Sequence, residues 1–203
     1  MARRVRIAVL VSGGGTNLQS LIDASGASDY PAEIVLVLSS SKKAYGLERA
    51  KNHSIPAVCL RRKDFKSDEA YARAMISVLD EHSVEMICLA GYMKLLPASV
   101  VGRYRNRILN IHPALLPKFG GKGMYGMNVH QAVIDAGESE SGATVHLVDE
   151  IYDNGKILDQ IRVPVLKEDS PEDLQKRVLE QEHILYPRVV SSVAMKIITG
   201  EEI

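Results

Sequence analysis

The chain has 203 residues, 46% of them hydrophobic, enough for one domain with a sizeable core or at most two small ones, and one is expected. Lysine plus arginine equals aspartate plus glutamate at 25 each, so the formal net charge is zero. That balance argues against a broad electrostatic surface for nucleic acid or a membrane but leaves room for a local anion site.

The Met1-Ala2-Arg3-Arg4 start is basic, yet the apolar run over residues 7–11 is far too short for a signal sequence or a membrane span. Residues 5–11, apolar apart from Arg6, read as a central strand covered on both faces of a parallel sheet. Ser-Gly-Gly-Gly-Thr-Asn follows at 12–17 and opens a helical run over 18–24, with Thr16 and Gln19 at capping-box spacing. Backbone N–H groups at such a helix start outline a phosphate site. A glycine turn that binds nothing is the alternative. Residues 33–39 repeat the strand pattern, 44–52 read as a helix and 57–60 as a short strand. Cys59 and Cys88 sit in apolar runs taken as interior strands; two such residues form neither a disulfide framework nor a zinc pattern and fit a reducing cytoplasm. Ser67 can cap a helix reaching His82, with Asp68 and Glu69 in its first turn and Tyr71, Ala72, Met75, Val78 and Leu79 as its buried stripe. A strand over 86–90 ends at Gly91, and residues 92–97 lead into a short helix.

The stretch Ile-Leu-Asn-Ile-His-Pro at 108–113 reads as a strand stopped by Pro113, which cannot donate to a ladder. Asn110 and His112 then share one face, with Ile111 on the other, so two polar groups arrive together at the strand's carboxyl end. Satisfying the loop backbone is the plainer use of such residues. Residues 129–136 read as a helix, 142–148 and 156–165 as strands, and 150–155 as an acidic loop. Ser170, Pro171 and Glu172 begin the last helix, with Leu174, Val178 and Leu185 buried and Pro187 expected to kink or divide it. Such alternation predicts a single α/β domain with a doubly wound, mostly parallel sheet flanked by helices, and ligands beyond the carboxyl ends of the strands.

Three features converge there: the glycine loop, the Asn110/His112 pair, and Asp153-Asn154-Gly155. The loop is a poor dinucleotide fingerprint because Leu18 stands where the third glycine belongs; an NADP reductase gripping a 2′-phosphate with residues 39–43 is the enzyme alternative. His112, His130, His146 and Asp153 lack the close spacing of a zinc motif. No nucleophile elbow occurs. A direct transfer fits better: Asn110 donates to a developing oxyanion, His112 handles a proton or donates beside it, and a carboxylate orients and charges the imidazole.

At this point the chain resembles the folate-dependent formyltransferases essentially end to end. The resemblance rests on SGGGTNL at 12–18, AGYMKLL at 90–96, NIHPALLP at 110–117, TVHLVDE at 144–150, DNGKILDQ at 153–160 and QEH at 181–183. It implies the formyltransferase fold and a formyl group moved from 10-formyltetrahydrofolate to the amine of 5-phosphoribosylglycinamide, with no metal. Asn110, His112 and Asp153 match the family's catalytic trio, shared with members that act on methionyl-tRNA or hydrolyse formyltetrahydrofolate. Gly15, Thr16 and Asn17 match the cradle for the ribonucleotide phosphate, and Glu182 the residue set against the ribonucleotide. Met93, Lys94, Leu95 and Leu96 resemble the segment lining the folate pterin pocket, together with Asn110. Asp149, Glu150, Ile151, Tyr152 and Asp153 resemble the loop that closes over it. The length suits the small enzymes of the family, with no second domain expected; a cytoplasmic protein with small-molecule substrates follows, and a homodimer is compatible. One departure is Asp68, where many members carry a basic cofactor contact; Lys66 or Arg62 is a candidate replacement, and a solvated acidic helix start is the preferred reading of Asp68.

Overall fold

The computed structural model describes residues 3–203, so Met1 and Ala2 of the basic start lie outside the described residues. Seven strands join one sheet: β1 (Val5–Val11), β2 (Ala32–Ser39), β3 (Ala57–Cys59), β4 (Met86–Leu89), β5 (Ile108–His112), β6 (Glu140–Leu147) and β7 (Ile157–Pro164), in the spatial order β3-β2-β1-β4-β5-β6-β7. The first five run parallel to their neighbours, while β6 and β7 add antiparallel. From β1 the chain winds outward through β2 and β3, then returns to β4 on the other side. The carboxyl ends of β1 and β4 therefore flank a topological switch point, where open α/β sheets leave a crevice.

Six helices cover the sheet: α1 (Thr16–Ser25), α2 (Tyr45–Asn52), α3 (Asp68–Glu81), α4 (Ala98–Arg103), α5 (Met127–Asp135) and α6 (Pro171–Thr199). Alternation along β1 sends Val5, Ile7, Val9 and Val11 into a core shared with α1, α5 and α6, and Ala8 and Leu10 into a second core shared with α3 and α4. β6 departs from half-burial, since Ser141 through Leu147 are all buried between β5 and β7 under α6. No helix among the described residues is long and apolar enough to cross a membrane.

Three expectations change. The α1 cap is Gly15, in the left-handed region at φ 69°, with no side-chain cap. A capping Ser or Thr needs an extended backbone, so Thr16 becomes the first helical residue and Gln19 donates instead to Asp23, at 2.8 Å. Cys59 ends the edge strand β3 and is only half-buried, while Cys88 in central β4 is fully buried. Finally, α6 runs unbroken for 29 residues across Pro187. An internal proline costs about 3 kcal/mol, but Leu185, Tyr186, Val189, Val190, Val193 and Ala194 are buried on either side of it. Each large apolar side chain so buried contributes roughly 1.5–3 kcal/mol. The start of α6 is as the sequence reads, with Ser170 and Asp173 exchanging cap bonds around Pro171.

The β6–β7 pairing leaves no room at Gly142, where a Cβ would sit 2.0 Å from the Ile161 carbonyl oxygen and 2.9 Å from Leu115 Cδ2. Gly142→Ala is expected to destabilise the protein by about 1–3 kcal/mol, as overpacking does. Urea unfolding of the two proteins checks it, and an unchanged midpoint contradicts it.

Candidate active site

A cleft of about 800 Å³ opens over the switch point, lined by the loops that follow β1, β4 and β5 and by the loop joining β6 to β7. Ser12 joins the first two walls: its N–H donates to Gly91 O at 3.1 Å, and its Oγ accepts from Met93 N at 2.8 Å. Tyr92 is anchored beneath by its hydroxyl, 2.8 Å from that of Tyr71 on α3. Tyr186 of α6 holds the floor, its hydroxyl donating between Leu89 O and Leu109 O at 3.0 and 3.1 Å.

On the floor, β5 delivers Asn110 and His112 together, and the β6–β7 loop brings Asp153 over them in a left-handed conformation at φ 54°. The His112 Nε2–H donates to Phe119 O at 2.8 Å, and its Nδ1 faces Asp153 Oδ2 at 3.6 Å. Because Nε2 already carries a hydrogen, Nδ1 carries one only when the ring is charged. Phe119 is itself held at φ 56°, a region bulky residues avoid. Asn110 Nδ2 lies 3.1 Å from His146 Nε2 and 3.5 Å from Asp153 Oδ1. Gly121 N donates to Asp153 Oδ2 at 2.9 Å.

His146 is the residue the sequence reading missed as a partner of the trio. Its only signals were the TVHLVDE motif and a notional metal set. The antiparallel register pairs it directly with Asn110, and its Nδ1–H donates to Leu147 O at 2.8 Å. In the neutral ring, Nε2 accepts from Asn110; in the charged ring it donates to Asp153 Oδ1, 3.5 Å away. His130 of α5 also lines the cleft, 2% exposed, with its Nδ1 lacking any partner. Among the described residues no group of three or more His, Cys, Asp or Glu is arranged to hold a metal ion.

At the other end of the floor, Asn17 Nδ2 donates to Glu182 Oε2 at 2.5 Å, and both side chains are buried. Asn17 Oδ1 is left without a donor. Gly15, Thr16, Met93 through Leu96, Asp149, Ile151 and Tyr152 all line the same cleft; Glu150 is exposed and stands outside the lining. Asp68 opens α3 as an ordinary acidic first turn, ion-paired with Arg62, whose Nη1 donates to Phe65 O at 3.0 Å. Neither of them, nor Lys66, lines the cleft, in keeping with the reading of Asp68 as a solvated acidic helix start. Lys42 and Lys43 are also outside it, which leaves the reductase alternative without its 2′-phosphate grip.

Burial dominates the electrostatics. It lowers the His112 pKa below the ordinary histidine value, against the opposing pull of Asp153 and the Phe119 carbonyl, with His146 adding to the lowering. The expectation that a carboxylate charges the imidazole is met in direction, since Asp153 pulls the His112 pKa up, but the desolvation cost of a buried imidazolium outweighs it. Burial and the charge of His112 push His130 down to about 4. Asp153 is the exception: burial raises its pKa, but the hydrogen bond to His146, the charge of His112 and the Gly121 N–H together hold it below the ordinary aspartate value. Burial pushes Glu182 up to about 7, only partly offset by Asn17.

Comparison with known proteins places this geometry. The family model described as "Formyl transferase" matches residues 5–190. The chain is 45% identical over 185 residues to the phosphoribosylglycinamide formyltransferase of Haemophilus influenzae, covering 91% of this chain and 85% of the relative. It is 39% identical to that of Escherichia coli, over 92% of this chain and 86% of the relative. Among solved structures, phosphoribosylglycinamide formyltransferase from Brucella melitensis superposes with a TM-score of 0.88 at 46% identity, covering 95% of this chain and 96% of that one. Glycinamide ribonucleotide transformylase 1 from Symbiobacterium toebii does so with a TM-score of 0.89 at 37% identity, covering 96% and 90%.

Glu182 yields a pH test. Its folded pKa of about 7 exceeds the ordinary value of 4.5, so the folded state holds its proton more tightly than the unfolded one. That contribution is fully present below pH 4.5 and is lost as pH rises through 7, a total of about 3 kcal/mol. Glu182→Gln cannot ionise. The stability of the native protein relative to this variant is expected to fall between pH 4.5 and 7 and then level off; a gap independent of pH in urea unfolding contradicts the assignment.

Proposed function

The chain belongs to the formyl transferase family, and from that membership we propose that it is a phosphoribosylglycinamide formyltransferase, moving the formyl group of 10-formyltetrahydrofolate onto the primary amine of 5-phosphoribosylglycinamide in purine biosynthesis. The observation that carries the reading is the meeting of a glycine-loop helix start and the Asn110/His112/Asp153 cluster in one cleft. A phosphometabolite-binding regulatory domain would keep the glycine loop but have no use for the cluster.

In this reading the ribonucleotide phosphate lies on the N–H groups of Gly15, Thr16 and Asn17, with Glu182 toward the rest of the nucleotide. The folate ring lies between the Met93–Leu96 segment and the loop bearing Asp149, Ile151 and Tyr152, whose apolar atoms suit a flat heterocycle. The formyl donor supplies an electrophilic carbonyl carbon, and attack by the amine places negative charge on its oxygen. Asn110 Nδ2 meets that oxygen by giving up its long contact to Asp153, and His112 stabilises it as a nearby imidazolium. The developing oxyanion favours the charged ring at the moment of reaction, which offsets the burial that keeps it neutral at rest. The His112 Nε2–H reaches the oxyanion only by leaving the Phe119 carbonyl. Protons pass from the amine to the departing folate nitrogen by way of water or of His112 itself.

Mixing the protein with both substrates and following tetrahydrofolate, with methionyl-tRNA as a competing acceptor, tests the assignment. Release that depends on the ribonucleotide and ignores the tRNA is expected.

Asn110→Ala is expected to lower kcat about 10²- to 10³-fold with little change in either dissociation constant, as loss of one preorganised donor does. Near-normal turnover in the folded variant removes Asn110 from the mechanism.

Asp153→Asn removes the group that pulls the His112 pKa upward. The His112 pKa then falls further, so the alkaline limb of the single-turnover rate moves to lower pH and the rate at neutral pH drops. NMR titration of His112 alongside the rate profile decides the matter; two unchanged curves reduce Asp153 to a loop acid.

A further inference from the structure

The glycine loop can present N–H groups to an anion only if its carbonyls are turned the other way. In a trans peptide the C=O of one residue and the N–H of the next point in opposite directions. Gly13 O accepts from Gly46 N of α2 at 3.1 Å, which turns the Gly14 N–H away from α2. Gly15 O accepts from Gln19 N at 3.0 Å, the first bond of α1, which aims the Thr16 N–H out along the helix axis. Between these two fixed peptides lies the Gly14–Gly15 unit. Glycines on both sides make its rotation almost free of steric cost, and one bond holds it: Arg49 Nε donates to Gly14 O at 2.9 Å.

Arg49 is in turn held in place. Its Nη1 donates to Gln19 Oε1 at 3.0 Å, and its guanidinium carbon lies 5.1 Å from the centre of the Tyr45 ring. Close packing sets the helix at this distance, since a Cβ on Gly15 would meet Gly46 Cα at 3.0 Å and one on Gly46 would meet Val11 Cγ2 at 2.9 Å. Gly13 to Asn17 line the cleft and no residue of α2 does, so Arg49 reaches Gly14 O from the side of the loop away from the cleft lining. Beside the loop Asn17, 8% exposed and also lining the cleft, leaves its Oδ1 with no donor, an acceptor that a hydroxyl or amine of a bound molecule could satisfy, not a phosphate oxygen.

We propose that Arg49 is a positioning residue for phosphate recognition: from behind the loop, its guanidinium locks the Gly14–Gly15 peptide with the Gly15 N–H toward the cleft. Without this bond the peptide rotates and turns a carbonyl toward the phosphate, replacing attraction with repulsion. The proposal rests on the phosphate-cradle reading above and adds the residue that sets the cradle's shape.

The test is calorimetric binding of ribose 5-phosphate and, separately, of tetrahydrofolate to the full chain and to Arg49→Ala, which needs no formyl transfer. Loss of one charge-assisted hydrogen bond is expected to weaken ribose 5-phosphate about tenfold, with tetrahydrofolate binding within twofold. In ¹⁵N NMR titration with inorganic phosphate, the Gly15 amide shift seen in the native protein should largely vanish in the variant. A thermal scan confirms that the variant is folded. Equal ribose 5-phosphate affinity in the two proteins, or equal weakening of both ligands, overturns the role of Arg49. No ribose 5-phosphate binding by the native protein overturns the cradle itself, a result distinct from a failure of Arg49.

Discussion

The carboxylate of Asp153 is the group on which the cleft floor depends. It accepts from Gly121 N, faces the rings of His112 and His146, and lies within reach of Asn110. Those four residues come from β5, the loop that follows it, and β6, so one carboxylate fixes that loop and two adjacent strands relative to one another. It can do so because several partners favour its charged form and together outweigh the cost of burial. The surrounding histidines have no comparable support. Burial drives His112 and His130 toward neutrality, so the fixed negative charge of Asp153 faces a His112 ring whose burial favours the neutral form.

The two halves of the cleft rest on different parts of the fold. One wall, with the glycine loop, Asn17 and Glu182, belongs to the core shared with α1 and α6; the other, with Tyr92 and Leu96, belongs to the core shared with α3 and α4. Central strands β1 and β4 carry both, and the Ser12 bonds to Gly91 and Met93 stitch them together at the crevice. Backbone groups are positioned on the first wall and apolar side chains on the second. The floor between them is supplied by neither wall.

Long, unbroken α6 spans this arrangement. It packs on β5, β6 and β7 and on α1 and α5, and carries Glu182 and Tyr186 within one turn. Tyr186 fixes the helix to the ends of β4 and β5, while Glu182 reaches the glycine-loop helix through Asn17. A break at Pro187 would part this segment from the turns that carry Val189, Val190, Val193 and Ala194, and the burial of residues on both sides of it holds the helix together.

By itself the sequence determined the alternation of strands and helices, the stop at Pro113, the Ser170-Pro171 cap and the shared face of Asn110 and His112, because each follows from local stereochemistry or a periodicity of two. The glycine loop was legible as a helix start, but its cap was misplaced by one residue: Thr16 and Gln19 have the right spacing, and only the positive φ of Gly15 shows that the turn is made before them. Of the two outcomes expected at Pro187, division of the helix does not occur, because a local cost of about 3 kcal/mol is decided by burial that the sequence does not display. Tertiary structure alone placed His146 opposite Asn110, since that pairing depends on β6 entering antiparallel and in a particular register. It alone set the direction of the His112 shift, because a neighbouring carboxylate can be guessed from a motif whereas desolvation exists only once the walls have closed around the ring.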